Sequence, residues 1–129
     1  MIKKVPYKVG AKTNKRVAIN NSVKHLGIIY LNARSLRNKM DELRILASQV
    51  KPDLIGVVET WLTEDNFDSE IDIVNYNFIR KDRKNECKTK GGGIVIYFKQ
   101  ELSIVDVTSG CNPNIDHIIC YAMRSYTQI

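Results

Sequence analysis

Residues 26–62 read LGIIYLNARSLRNKMDELRILASQVKPDLIGVVETWL. An apolar run ends in Asn32, an amphipathic segment follows, and a second apolar run ends in Glu59. In the middle segment Leu36, Met40, Leu43, Ala47 and Val50 recur at spacings of four, three, four and three, which puts them on one helical face. Arg37, Asp41, Arg44 and Gln49 fall on other faces. Ser35 is placed to cap the start. Pro52 has no N–H to continue a helix, so the helix is predicted to close between Val50 and Pro52. The flanking runs, Leu26–Leu31 and Leu54–Val58, are short, apolar and bounded by breakers. They read as buried strands of a parallel pair joined by a right-handed helical crossover.

This pattern has a chemical consequence. Both strands of a strand–helix–strand unit run the same way, so Asn32 and Glu59 leave the sheet at one edge, the carboxyl edge. Neighbouring strands lie about 4.8 Å apart, which lets two such side chains reach one small ion or one phosphate. Ligand sites in sheets of this kind gather at that edge. A carboxylate beside an apolar run also needs a partner, because burying it alone is costly. A hard cation such as magnesium is one; it takes one or two protein carboxylates and leaves the rest of its shell to water and phosphate. The bland alternative is that Asn32 and Glu59 merely end their strands, one in a turn and the other paired with Arg34 or Arg37.

Five segments, in this order, carry a family resemblance. They are N-A-R-S-L-R-N-K at Asn32–Lys39, P-D-L-I at Pro52–Ile55, E-T-W-L at Glu59–Leu62, R-K-D-R at Arg80–Arg83 and G-G-G-I-V-I-Y at Gly91–Tyr97. Together they resemble the endonuclease/exonuclease/phosphatase superfamily, and within it the endonuclease of non-LTR (LINE-like) retrotransposons. The resemblance implies an α/β (α+β) fold: part of a four-layer sandwich whose mixed sheet opens with the strand–helix–strand unit. It implies an N-terminal half-domain over residues 25–129, preceded by an arm over residues 1–24.

The resemblance also implies metal-assisted phosphodiester hydrolysis. Glu59 matches the glutamate that holds magnesium (manganese being an alternative), and Asn32 matches an asparagine that contacts metal or phosphate. Arg80 and Arg83 match positions typical of the retrotransposon branch, where phosphate contact is the natural expectation. Arg34 stands where DNA-repair relatives carry an acid, which removes one metal contact and adds a candidate nucleic-acid contact. The expected nucleic-acid-binding set is Arg34, Arg80, Arg83, Lys84, Lys88 and Lys90. The family's second-half motifs, a tyrosine, Asp-x-Asn and Ser-Asp-His, have no match. Asp116-His117 follows Ile115 rather than serine and opens a strand, so it reads as a structural pair. Without a recognisable general base, little or no nuclease activity is expected of the chain alone. Two alternatives stand beside this reading: a non-catalytic nucleic-acid-binding remnant, and a phosphatase or phosphodiesterase of small substrates.

Bulk properties narrow the field. The 129 residues make at most one domain, and 43% hydrophobic with 26% charged residues is ordinary for a soluble chain. No apolar run approaches a membrane span, and the N-terminus lacks the apolar stretch of a secretory signal, so a nuclear or cytoplasmic protein is expected. Cys87, Cys111 and Cys120 show no zinc-binding spacing beside His25 and His117 and read as reduced thiols. No small-molecule cofactor is implied; the expected partners are DNA and the other half of the domain. The net charge is +6. Seven of the twenty basic residues lie in residues 1–24 with no acid, leaving thirteen against fourteen acids beyond. The arm reads as irregular, either a solvated leader or a salt-sensitive phosphate contact.

Downstream, Thr63–Asn75 reads as a solvated acidic loop with one short turn; its five acids lack calcium-loop spacing. Tyr76–Arg80 and Ile94–Phe98 read as antiparallel strands joined by a basic connection, Lys81–Gly93. Gly91–Gly93 is not a phosphate loop, since no G-x-x-x-x-G-K-[ST] pattern or following helix exists; the run instead allows close backbone approach. Leu102–Val107 reads as a strand, Thr108–Asn114 as a turn and Asp116–Met123 as a last strand.

Overall fold

The computed structural model describes residues 2–4, 25–83, 91–112 and 115–124. β1 (Ile2–Lys4), β2 (Ile28–Asn32), β3 (Leu54–Val58), β4 (Tyr76–Lys81) and β5 (Ile94–Lys99) form one sheet in the order β1-β2-β3-β5-β4. β6 (Leu102–Asn112) and β7 (Ile115–Arg124) form a separate antiparallel pair. The fold is thus mixed α+β, as expected.

β2 and β3 are parallel, with Ile28 opposite Leu54 and Asn32 opposite Val58. Their crossover is a 3-10 turn, Leu36–Lys39, running into α1 (Met40–Val50). Leu36, Met40, Leu43 and Ala47 are all buried, so the four-three-four spacing does mark the inner face. It meets Ile29, Leu31, Ile55, Val57, Val95 and Tyr97, the alternate residues of three adjacent strands. Each such large side chain contributes about 1.5–3 kcal/mol by leaving water. The opposite sheet face is also apolar but less covered: Ile28, Leu54, Val58, Ile94 and Ile96 are partly buried, and Tyr30 is 43% exposed.

α1 ends where Lys51 turns left-handed (φ 51°) and donates its N–H to the Ala47 carbonyl, directly before Pro52. The amino edge of the sheet is tied by the P-D-L-I segment. Asp53 Oδ2 accepts the Gly27 N–H at 2.7 Å, and its other oxygen faces Lys99 Nζ at 3.5 Å. The Tyr76 hydroxyl donates to the Pro52 carbonyl at 2.5 Å. The acidic segment is anchored rather than free. It holds a 3-10 turn at Asp68–Glu70, Arg44 donates to the Asp72 and Glu70 carbonyls, and the buried Tyr97 hydroxyl donates to the Ile71 carbonyl at 2.7 Å. Burial pushes the Tyr97 hydroxyl pKa well above the usual range, so it remains a donor at all physiological pH values.

Three expectations are corrected. Ser35 makes no side-chain cap; its backbone is left-handed (φ 85°) and its N–H donates to the Glu59 carbonyl. Thr108–Asn112 continues β6, because Ser109 and Gly110 pair with Ile118 and His117 across the hairpin, after an irregularity between Val105 and Thr108. Ile2–Lys4, expected to be irregular, pairs antiparallel with β2 along Ile29–Leu31. The rest of the arm, 5–24, lies outside the described residues. No helix among the described residues is long and apolar enough to cross a membrane.

Candidate active site at the carboxyl edge

Three backbone segments meet where β2 and β3 end. Ala33 donates to the Val58 carbonyl at 2.9 Å, Ser35 to Glu59 at 3.1 Å and Leu36 to Thr60 at 2.9 Å. From the other side, Thr60 donates to the Gly93 carbonyl at 3.4 Å and Trp61 to Gly92 at 2.9 Å. Segment 59–61 is therefore held between segments 33–36 and 91–93.

This junction is conformationally costly. Among the described residues six non-glycine positions have positive φ, and four are here: Arg34 (44°), Ser35 (85°), Glu59 (54°) and Trp61 (55°). A left-handed backbone at an ordinary L-residue costs about 1–2 kcal/mol. Such strain persists where the surroundings over-determine it, and it concentrates at functional sites. Gly91, Gly92 and Gly93 also have positive φ (89°, 74° and 92°). A Cβ on Gly91 would stand 3.0 Å from Trp61 Nε1 and 3.2 Å from Glu59 Oε2. One on Gly92 would collide with the Arg83 guanidinium, and one on Gly93 with Thr60 Oγ1. The glycine run thus serves close approach, as its sequence suggested.

Asn32, the last residue of β2, pairs with Val58, the last residue of β3, and Glu59 follows directly at the same sheet edge. Asn32 Oδ1 is buried. The Glu59 carboxylate leans toward the glycines, where Oε2 accepts Trp61 Nε1–H at 2.8 Å and the Gly92 N–H at 3.2 Å. Among the described residues no donor occupies Oε1. The Trp61 hydrogen bond, then the Gly92 amide, hold the Glu59 pKa below the usual carboxylate value, helped by the charges of Arg83 and Arg34; partial burial opposes them and loses. Glu59 is an anion near neutral pH, with one oxygen fixed and the other open. An ionised carboxylate and an amide oxygen are each hard-oxygen donors of the kind magnesium or manganese takes.

Arg34 and Arg83 both lie close enough to act on Glu59 electrostatically. Arg80 is engaged within the protein. All five of its N–H donors are used within the protein. Nε donates to Asp82 Oδ1 (3.1 Å), Nη1 to the Asn66 carbonyl (2.8 Å) and Asp68 Oδ1 (3.1 Å), and Nη2 to the Thr63 carbonyl (3.0 Å) and Asp82 Oδ2 (2.6 Å). It fastens the segment after Leu62 to β4 and has no donor left for a phosphate. Lys84, Lys88 and Lys90 lie outside the described residues. His117 lies within β7, paired across the hairpin with Gly110. Trp61 and the Gly92 amide were not singled out from sequence as Glu59 partners. The signal was an indole two residues beyond the carboxylate, in line with a glycine run.

The described residues thus form a parallel β–α–β unit inside a mixed sheet, followed in the chain by a second, antiparallel pair of strands. The solved structure of the AP endonuclease LMAP from Leishmania major is similar in fold, with a TM-score of 0.50 and 22% identity over 60% of this chain. The match spans 27% of that enzyme's length. No protein-family model and no curated protein matches the chain.

Proposed function

We propose that this chain carries the metal- and phosphate-binding half of a magnesium-dependent DNA endonuclease site, of the non-LTR retrotransposon type. The observation that carries the reading is Glu59. It is held ionised and strained at the end of β3, beside the end of β2 that bears Asn32, with Arg34 and Arg83 near enough to influence its charge. Glu59 and Asn32 would hold the ion through oxygen. When bound, the ion supplies Lewis-acid stabilisation of charge on a phosphodiester. Trp61 and Gly92 orient the carboxylate; Arg34 and Arg83 attract and seat the phosphate backbone. The proton acceptor for water belongs to the second half of such a site, whose motifs these 129 residues lack. The chain alone then binds DNA, in the nucleus or cytoplasm, without cutting it efficiently; the complementary half-domain is its expected partner.

Two measurements test this. Fluorescence anisotropy with labelled DNA at several salt concentrations is expected to show salt-sensitive binding, with Arg34→Ala and Arg83→Ala each flattening the salt slope by about one. Plasmid nicking in magnesium is expected to be weak or nil. Robust nicking abolished by Glu59→Ala contradicts the need for a second half, and binding indifferent to salt contradicts the phosphate-seating role.

A further inference from the structure

Trp61 stands out once Glu59 has been accounted for. It is a large aromatic side chain, yet it is 48% exposed. Its backbone is left-handed (φ 55°), a conformation a bulky residue adopts only when held there. Two bonds hold it: its own N–H to the Gly92 carbonyl at 2.9 Å, and its indole N–H to Glu59 Oε2 at 2.8 Å. Close approach of Gly91 to the Nε1–Cδ1 edge, where a Cβ would stand at 3.0 and 3.4 Å, fixes that edge further. An exposed ring would gain stability by folding onto apolar surface. Instead, its polar edge is tied at the carboxylate and much of its apolar surface is left to solvent.

We infer that the exposed indole of Trp61 is a stacking platform for one unpaired nucleobase of the strand whose phosphate lies at Glu59. The inference rests on the proposed DNA reading and adds a base-contacting residue to it. A nucleobase has a flat π-face of matching size, and stacking on an aromatic ring is largely blind to base identity. The platform is preorganised, because the two bonds above have already removed the rotamer freedom that stacking would otherwise cost. Arg34 and Arg83, whose charges act on the same carboxylate, give the neighbouring phosphates a counter-charge. The contact is therefore with an unpaired base flanking the phosphate, as in a single strand or a frayed duplex end.

The chain contains a single tryptophan, so its emission reports this ring alone. The test titrates the full chain with a short oligothymidylate and with a base-free deoxyribose-phosphate polymer of equal length, following tryptophan emission and the anisotropy of labelled polymer together. Expected is saturable quenching by the oligothymidylate and none by the base-free polymer, although both bind. Trp61→Ala is expected to weaken oligothymidylate binding roughly five- to hundred-fold, and Trp61→Phe to weaken it less than about three-fold. Each variant should change affinity for the base-free polymer far less than affinity for the oligothymidylate. Oligothymidylate binding with unchanged emission, or equal weakening toward both polymers in Trp61→Ala, overturns the stacking role and leaves the DNA reading standing. Failure of the chain to bind either polymer overturns both.

Discussion

Replacing Arg80 by lysine keeps a positive charge at the first position of the R-K-D-R segment, and the consequence separates two roles for that charge. The Arg80 side chain is 16% exposed and Asp82 is 21% exposed, while Asp68 is 73% exposed. The paired Nε and Nη2 bonds to Asp82 form a fork that an ammonium cannot reproduce. Removing one partner of a fully buried pair costs about 3–5 kcal/mol. This pair keeps some solvent, and the Thr63 and Asn66 carbonyls can return to water, so about 2–4 kcal/mol is expected for Arg80→Ala. Arg80→Lys is expected to lose roughly 1–3 kcal/mol, since one ammonium can meet only part of the set. With a urea slope of about 2 kcal/mol per molar, the midpoint moves down by about 1–2 M in Arg80→Ala and about 0.5–1.5 M in Arg80→Lys. The coupling of Arg80 to Asp82 should exceed that to the exposed Asp68, which is expected below about 1 kcal/mol in a double-mutant cycle. Urea unfolding followed by circular dichroism measures these variants and the two cycles. An Arg80→Lys midpoint equal to wild type, or a DNA salt slope that falls by about one in Arg80→Ala as for Arg83, would refute the structural assignment and return Arg80 to the phosphate.

Gly93→Ala forces a side chain at φ 92° against the buried Thr60 hydroxyl and is expected to cost about 2–4 kcal/mol in urea unfolding. Gly56→Ala, whose new carbon meets only Tyr30 at 3.9 Å, should change stability by less than about 1 kcal/mol; equal effects would contradict the close-approach reading. Asp53→Ala strands the buried Gly27 N–H and unpairs Lys99, with about 1–3 kcal/mol lost; a neutral result would contradict the amino-edge tie. The Glu59 pKa lies below its unfolded value of 4.5, so its contribution to stability is full above 4.5 and lost as pH falls through the lower folded value. Trp61→Phe removes the largest cause and should raise the Glu59 midpoint in a carboxyl-carbon NMR titration. An unchanged midpoint would mean the indole N–H is not its main support.

The strand–helix–strand unit was legible because periodicity carries it: the same residues that recur along 36–50 pack on Ile29, Ile55 and Val57. The placement of Asn32 and Glu59 followed from chain direction alone. What the sequence hid depends on partners distant along the chain or on backbone groups. Arg80 looks like any basic residue beside Lys81 and Arg83, and its role is set by the Thr63 and Asn66 carbonyls, which leave no mark in residue identity. Ser35 has the right chemistry for a cap, but Glu59 takes its N–H and turns the backbone left-handed. Ser109 and Gly110 break isolated strands, yet pairing with Ile118 and His117 overrides that preference. Trp61 carried no pattern of its own; only the glycine run opposite it gave the close approach away.

Asn32 and Glu59 sharing one ion is the claim from which the rest follows, and a double-mutant cycle on manganese affinity reaches it most directly. Titration of the wild-type chain, Asn32→Ala, Glu59→Gln and the double variant is expected to give one site. Each single change should weaken it tenfold or more, and the double no more than the worse single, because both side chains serve the same ion. Affinity untouched by either change, or losses that simply add, would show that the two strand ends do not hold a common cation.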